Sequence, residues 1–290
     1  MMHELTLQEI QQESLAVLLK LDGLCRKLNI RYFLAFGTLI GAVRHNGFIP
    51  WDDDIDVMMM RKDYQILKEY MEAHAEEMRP FKICDRANTK NYSCSIPRFV
   101  NTDFIFRTCN PGEKQFDLGV FVDFYPLDFY GNSEKKARQL KRRTMLLDKM
   151  YIISINPGNG KKTLGNLIRI FSAGIAKIYF SFHKIKRIGM DSYIYNLIKK
   201  HTSETDSLIG VVAGDDSSGY ISFPSDFFNE ISEHTFEGHS LMIPARYDEY
   251  LKKQYGDYMQ LPPESERTPH HGYSIFKDDH RKVAMGGGIN

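Results

Sequence analysis

Cysteines are few in this sequence, and long hydrophobic runs are missing from it. None of the four cysteines forms a CxxC pair or another spacing typical of a metal site. This usage predicts reduced, mostly buried thiols in a cytoplasmic protein. No stretch of about 18 apolar residues is free of charge, so we expect no membrane-spanning helix. The acids near the N-terminus also argue against a signal peptide.

A strong net charge is missing too, but the charges are unevenly distributed. The formal net charge is +1, with 42% hydrophobic and 26% charged residues, as in an ordinary soluble globular protein. Residues 135–200 contain 16 lysines and arginines and only two acids, whereas the remaining residues carry 22 basic and 35 acidic groups. Such a division predicts two surfaces with different partners. No nucleic-acid-binding motif accompanies the basic residues, so nucleic acid is not expected as a partner.

The stretch from Tyr32 to Met60, YFLAFGTLIGAVRHNGFIPWDDDIDVMMM, is the most informative part of the chain. Its apolar and aromatic start, Tyr32–Phe36, predicts a buried strand. Gly37 and Thr38 then interrupt the run, and the residues after them have the pattern of a helix's first turns. Thr38 is predicted as the N-cap of this helix, and a helix N-terminus is a ready site for a phosphate group.

Three aspartates of this stretch, Asp52, Asp54 and Asp56, alternate along a second predicted strand and would project from one face. Three carboxylates on one face repel each other unless a cation lies between them, and a hard divalent cation such as Mg²⁺ prefers oxygen ligands. The alternative is a solvated acidic turn, which the apolar flanks disfavour. A calcium-binding EF-hand loop is excluded, because its sixth and twelfth positions require Gly and Glu and hold Val57 and Asp63.

Two further charged residues lie in apolar surroundings later in the chain. Asp123 is the single charge in the predicted strand Gly119–Leu127, and a carboxylate there is costly to bury unless it is paired or bound to a metal. Arg98 lies in the segment Asn91–Phe106, which is predicted as a hairpin or a pair of strands. Its planar guanidinium can hold a diphosphate. The alternative is a surface arginine that pairs with an acid.

The run GTLIGAVRHNGFIPWDDDID resembles the signature of the LicD family, phosphocholine transferases related to the fukutin-type phosphotransferases. That family is similar to the polymerase-β-like nucleotidyltransferases, which implies an α/β (α+β) fold with a mixed sheet flanked by helices. The resemblance also implies that Asp54, Asp56 and Asp123 are catalytic and hold Mg²⁺ or Mn²⁺. Asp52 is then a fourth ligand or a supporting carboxylate, and Asp53 is expected to point to the opposite face of the strand.

The reaction that the resemblance implies is the transfer of phosphocholine from CDP-choline to a hydroxyl group of a cell-surface glycan precursor, of the teichoic acid or lipooligosaccharide type. The alternatives are another alcohol phosphate from a CDP-activated donor, a glycosyltransferase that uses its DxD pair for a nucleotide sugar, and a catalytically silent scaffold at a membrane. For the histidines near the C-terminus, an ordinary loop position is an equally good interpretation. The expected substrate-binding residues are Gly37, Thr38, Arg44, Arg98, Arg267, His270 and His271.

We predict three segments: a nucleotidyltransferase-like core over residues 1–134, a basic helical segment over 135–205, and a C-terminal segment over 206–290 that packs on the core and contributes to the substrate site. In the basic segment, apolar residues recur at helical spacing and basic residues take the opposite side. Such a helix lies on an anionic membrane or docks on the core. A lipid-linked acceptor would favour peripheral contact with the inner face of the plasma membrane. The apolar positions are Leu164, Ile168, Phe171, Ile175, Ile178, Phe182 and Ile185, and the basic ones are Lys162, Arg169, Lys177, Lys184 and Arg187.

Overall fold

A mixed sheet flanked by helices forms the centre of the molecule, as the α+β prediction requires. The computed structural model describes residues 2–90, 92–108, 118–156, 163–183, 185, 189–212, 221–268 and 272–278. Over these residues the chain forms seven α-helices. They are α1 (Leu7–Leu28), α2 (Phe36–His45), α3 (Arg61–Ala73), α4 (Glu134–Ile155), α5 (Leu164–Phe182), α6 (Met190–Lys199) and α7 (Tyr247–Tyr255).

The main sheet has the strand order β2-β3-β7-β5-β4, and a two-strand extension, β8 and β9, leaves from the far part of β7. Strands β3 and β7 run parallel, whereas the other neighbours are antiparallel. The predicted strand around Asp123 is confirmed, and it continues four residues beyond Leu127. The strands are β2 (Phe33–Leu34), β3 (Asp56–Met60), β4 (Phe81–Cys84), β5 (Arg98–Asn101), β7 (Val120–Gly131), β8 (Leu208–Gly210) and β9 (Phe223–Pro224).

Two small sheets complete the fold. One has the order β1-β12-β6 and joins the N-terminal residues to a strand near the C-terminus, and the other is the hairpin β10–β11. The hairpin predicted within Asn91–Phe106 is wrong, because β5 pairs in the main sheet whereas β6 pairs with β12. These strands are β1 (Met2–Glu4), β6 (Phe104–Thr108), β10 (Ile231–Phe236), β11 (His239–Pro244) and β12 (Tyr273–Asp278).

The principal core lies between the main sheet and helix α1. Helix α1 begins with a capping box, in which Thr6 and Glu9 satisfy each other's backbone N–H groups. Its inward side chains Val17, Leu18 and Leu21 are almost completely buried against the sheet. Burial of these apolar groups on a rigid sheet fixes the ends of the strands that carry the acidic residues.

The basic segment forms a second apolar cluster of its own. Side chains of α4, α5 and α6 pack together there, next to Tyr130 at the end of β7. The predicted helical character of this segment is confirmed by its three helices, α4, α5 and α6. Among the residues that the structure describes, no helix is both long and apolar enough to cross a membrane.

Candidate active site

The pairing of three strands places three charged residues side by side. In the register of the main sheet, Asp56 of β3 lies opposite Asp123 of β7, and Asp123 lies opposite Arg98 of β5. Residues at opposed positions share a face of the sheet. Asp54, from the loop before β3, joins this row. Carboxylate oxygens of Asp54, Asp56 and Asp123 all lie within 4.8 Å of one another.

Within this acidic cluster, Asp56 has an environment that disfavours the ionised form of its carboxyl group. It is buried, and its Oδ1 atom has no hydrogen-bond partner. Burial raises the pKa of Asp56 well above its ordinary value, and the charges of Asp54, Asp123 and Asp52 raise it further. A buried carboxylate oxygen without a partner is costly, and a bound cation would satisfy it.

The predicted alternation of the aspartates along a strand is wrong for the first two of them. Strand β3 begins only at Asp56, and residues 52–55 approach it as an irregular loop. Carboxylate oxygens of Asp52, Asp53 and Asp54 therefore form a second group within 4.8 Å of one another. Asp53 does not turn away from its neighbours as the alternation predicted. Its backbone carbonyl also accepts a hydrogen bond from the hydroxyl of Tyr273, at 2.8 Å.

The side chain of Arg98 forms an ion pair with Asp123. Its Nε atom donates to Oδ1 at 2.6 Å and its Nη2 atom donates to Oδ2 at 3.3 Å, which is the two-pronged geometry of a strong ion pair. The guanidinium also lies 3.9 Å from the ring centroid of Phe121. The surface position that we considered for Arg98 is wrong, because its side chain is only 12% exposed. The arginine fixes the rotamer of the carboxylate beside Asp56.

The turn from β2 into α2 differs from the prediction. The N-cap of α2 is Ala35, and Thr38 lies within the first turn. The Thr38 hydroxyl accepts a hydrogen bond from the backbone N–H of Asp56, at 2.8 Å. Thr38 is therefore a positioning residue for β3, and the predicted N-cap role is wrong. Phe36, the first residue of the helix, has a positive φ of 45°, a strained backbone conformation of the kind that collects at functional sites.

Gly37 leaves room for an aspartate at the start of this helix. A Cβ atom at Gly37 would lie 2.8 Å from Oδ2 of Asp52, closer than unbonded atoms normally approach. The N–H groups of a helix's first turn have no acceptor within the helix, and they favour a negatively charged group nearby. The absence of a side chain at Gly37 thus brings the Asp52 carboxylate and the start of α2 together.

Two arginines, Arg44 and Arg267, lie near each other, and Arg267 contacts Trp51 next to the acidic loop. The guanidinium of Arg267 lies 5.6 Å from the centroid of the Trp51 ring. Arg44 donates from Nη1 to the backbone carbonyl of Tyr258 at 2.9 Å. Burial lowers the pKa of Arg44, and the positive charge of Arg267 lowers it further. Two neighbouring guanidinium groups are suited to bind a phosphate or diphosphate. The other predicted substrate residues, His270 and His271, lie outside the described residues.

Three residues that the sequence did not single out also contribute. The carboxylate of Glu237, in the β10–β11 turn, accepts the backbone N–H of Phe48 at 3.0 Å and so fixes the loop after α2. Tyr125 partly offsets the rise in the pKa of Asp56. Burial raises the pKa of the Tyr255 phenol, and the charges of Asp56, Asp52 and Asp54 raise it further. Each acts through a segment distant in sequence, so the sequence pattern did not assign these roles.

The donor set fits a hard divalent cation. Asp54, Asp56 and Asp123 offer only carboxylate oxygens, and Oδ1 of Asp56 is buried without a hydrogen-bond partner. Oxygen-only sites of this kind suit Mg²⁺ or Mn²⁺, whereas Zn²⁺ and copper sites usually include nitrogen or sulfur ligands. A cation would also offset the repulsion between the three carboxylates.

Comparison with known proteins gives two kinds of match. Residues 29–148 match the family described as LicD/FKTN/FKRP, nucleotidyltransferase domain. Over 280 residues the chain is 31% identical to the lipopolysaccharide cholinephosphotransferase LicD of Haemophilus influenzae, and the match covers 93% of this chain and 97% of that protein.

Two uncharacterized Rickettsia proteins match in part. The R. typhi protein is 36% identical over 38% of this chain and 33% of its own length. The R. prowazekii protein is 32% identical over 45% of this chain and 53% of its own length.

Proposed function

This chain belongs to the LicD family of transferases, and on that premise we propose that it transfers choline phosphate from CDP-choline to a hydroxyl group of a lipopolysaccharide-type glycan. The name of the H. influenzae relative supports the cargo and the acceptor, and the match with it extends over nearly both chains. The observation that carries the proposal is the cluster of Asp54, Asp56 and Asp123, with its unpartnered buried oxygen.

In the proposed reaction the three carboxylates would hold Mg²⁺ or Mn²⁺. The cation would neutralise charge on the diphosphate of the donor and on the leaving CMP. Arg98 keeps the carboxylate of Asp123 in place through its two hydrogen bonds. Thr38 keeps the start of β3 in place by accepting the N–H of Asp56. These contacts hold the ligand set before the substrate binds, so that little reorganisation is needed during the reaction.

The donor would bind between the start of α2 and the arginines near Trp51. The first-turn N–H groups of α2 and the guanidinium groups of Arg44 and Arg267 are positively polarised and would suit the phosphates of the donor. We therefore propose Gly37, Arg44 and Arg267 as donor-binding residues.

The chemical step is a displacement at the phosphorus atom that carries choline. The acceptor oxygen forms a bond to this phosphorus, the bond between phosphorus and the bridging oxygen of the diphosphate breaks, and CMP leaves with the electron pair. The acceptor hydroxyl gives its proton to a carboxylate of the cluster, acting as general base. The products are CMP and a glycan choline phosphodiester.

The acceptor determines where the enzyme works. Lipopolysaccharide is anchored to a membrane by its lipid part, so we propose that transfer takes place at the inner face of the plasma membrane. A teichoic acid acceptor is the alternative for a chain of this family. Purified lipopolysaccharide and teichoic acid, each lacking choline phosphate, distinguish the two when they are offered with the same donor.

A donor panel tests the proposal. CMP release is measured with CDP-choline, CDP-ethanolamine, CDP-ribitol and a nucleotide sugar, in the presence of Mg²⁺ and lipopolysaccharide. We expect acceptor-dependent CMP release with CDP-choline, and none after the double change Asp54→Asn and Asp56→Asn. Asp226→Asn, at an exposed acid paired with Arg246, is the matched control and should behave as wild type. Preference for another CDP-alcohol would change the cargo, and turnover of the nucleotide sugar alone would overturn the proposal.

A further inference from the structure

Helix α5 exposes the apolar stripe that the sequence places on it from Leu164 to Phe182, whereas the last predicted stripe residue, Ile185, is buried. Leu164, Phe171 and Phe182 are 76%, 71% and 82% exposed, although large apolar side chains of this kind normally lie inside a protein. The interpretation that the stripe docks on the catalytic core is therefore wrong. The other strongly exposed apolar residues of α5 are Leu167, Ile168, Ile170, Ile175 and Ile178.

The orientation of α5 explains this exposure. At about 100° per residue, Leu164, Phe171 and Phe182 fall on one side of the helix. The opposite side faces the protein, where Ala176 and Phe180 are buried in the cluster formed with α4 and α6. Ala176 and Phe180 thus make the contact with the protein, and the side chains of the stripe point away from it. A continuous apolar face of this extent is typical of an interaction surface.

The charges of the residues around α5 favour an anionic lipid surface as the partner of its apolar stripe. Helix α5 contains no acid, and the whole stretch 135–200 has 16 basic residues against two acids. Exposed basic side chains, among them Arg142, Arg143 and Lys149, lie on the adjacent helix α4. A second copy of the chain would bring two such basic segments together, and they would repel each other. An anionic lipid surface offers both an apolar layer and the opposite charge.

We propose that α5 is an in-plane membrane anchor of this protein. The helix lies parallel to the bilayer surface, with the stripe from Leu164 to Phe182 in the boundary between headgroups and acyl chains, about 5–10 Å deep. Exposed basic side chains of the adjacent helix α4, among them Arg142 and Arg143, supply the positive charge that attracts the anionic headgroups. The helix does not cross the bilayer, in agreement with the lack of a spanning helix among the described residues. This anchor holds the enzyme at a surface without a covalent lipid.

Vesicle flotation of the full chain tests the anchor. The probes are vesicles of phosphatidylglycerol mixed with phosphatidylcholine, and vesicles of phosphatidylcholine alone. We expect binding to the anionic vesicles, and at least about a tenfold loss of affinity in the double variant Phe171→Gln and Phe182→Gln. The matched control replaces two exposed apolar residues elsewhere, Ile231→Gln and Met259→Gln, and should bind as wild type. Thermal unfolding verifies that both double variants are folded.

Unchanged vesicle binding in the α5 variant would overturn the proposal. The proposal also fails if the wild-type chain is a dimer in solution that the same variant converts to a monomer, without vesicle binding by either form. Analytical ultracentrifugation measures that outcome.

A fluorescent reporter adds a measurement that does not depend on affinity. The chain contains a single tryptophan, Trp51, so the change Phe182→Trp adds one new signal. We expect its emission to shift to the blue on anionic vesicles and to be quenched most strongly by lipids brominated near the headgroup. Emission that does not respond to the vesicles would contradict the anchor.

The anchor and the proposed transferase activity can fail independently. With a lipid-free acceptor glycan in solution, the α5 variant should release CMP at the wild-type rate. With the acceptor carried on vesicles, it should be slower.

Discussion

Arg98 donates two hydrogen bonds to Asp123, from Nε at 2.6 Å and from Nη2 at 3.3 Å, across the pairing of β5 with β7. The same register sets Asp123 beside Asp56 on β3. One buried arginine therefore determines the position of a carboxylate that we assign to the cation. This arrangement makes Arg98 a positioning residue, and the substrate diphosphate would be held by other groups.

Replacing Arg98 separates these two roles. Arg98→Met leaves the Asp123 carboxylate buried without its partner and should lower the free energy of unfolding by about 3–5 kcal/mol, measured by urea denaturation. Arg98→Lys keeps the charge but loses the planar fork, so it should lower kcat and leave KM for the donor nearly unchanged. A rise in KM with unchanged kcat would instead assign Arg98 to the diphosphate. Arg246→Met, at an exposed ion-pair site, is the control and should leave stability nearly unchanged.

The hydroxyl oxygen of Thr38 should contribute to stability and to cation affinity, because it accepts the N–H of Asp56. Thr38→Val keeps the shape of the side chain but leaves the N–H of Asp56 without its acceptor, at a cost of about 1–3 kcal/mol in stability. Cation affinity should fall as well, because Asp56 is no longer fixed. Thr38→Ser retains the acceptor and should restore both quantities. Isothermal titration with Mn²⁺ and urea denaturation check the pair, and equal effects of Val and Ser would contradict this role.

Asp56 should make the cation-free protein sensitive to pH. Its pKa is raised in the folded state, so its contribution to stability is fully present below the ordinary value of 3.8 and is lost as the pH rises through the raised pKa. At pH 8 in EDTA, Asp56→Asn should therefore be more stable than wild type, by about 0.5–2 kcal/mol. Mg²⁺ should stabilise the wild type and leave the variant unaffected. A variant that is no more stable than wild type under these conditions would contradict the account.

Gly37 should be required for the position of Asp52. The backbone at Gly37 has no positive φ, so alanine fits the helix, but its Cβ would displace the Asp52 carboxylate. Gly37→Ala should change stability by no more than about 1 kcal/mol. Displacement of a carboxylate next to the reacting groups should lower kcat/KM by about 100-fold. Gly23→Ala is the matched control, because a Cβ at Gly23 meets no atom within 4 Å. Wild-type kcat/KM in Gly37→Ala would show that Asp52 is not needed.

The sequence reveals those features of the site that depend on local pattern. The apolar run predicts the strand around Asp123, and the cost of burying a lone carboxylate marks Asp123 as a site residue. The pairing register then places that residue beside Asp56. The sequence does not reveal that the chain is irregular before Asp56, since alternation along a short acidic run looks the same in a loop and in a strand. The contact of Glu237 with Phe48 joins segments almost 190 residues apart, and no local pattern encodes it.

The basic segment shows a second feature that the sequence pattern does not predict, namely which side of a helix faces the protein. Periodicity correctly predicts a helix with an apolar side, from Leu164 to Phe182. Of the predicted basic side, Lys162, Lys184 and Arg187 lie outside the described residues. Periodicity does not tell which side faces the protein, because that choice depends on the shape of the neighbouring helices. In the structure the alanine-containing side packs inward, and Phe171 remains exposed.

The mass of the acceptor after reaction tests the central claim most directly. Lipopolysaccharide lacking choline phosphate is incubated with CDP-choline, Mg²⁺ and either the wild-type chain or the double variant Asp54→Asn and Asp56→Asn, and is then examined by mass spectrometry. The account predicts that one choline phosphate group is added by the wild type, and that none is added by the variant or in EDTA. Equal addition by the wild type and the variant would contradict the assignment of the acidic cluster as the active site.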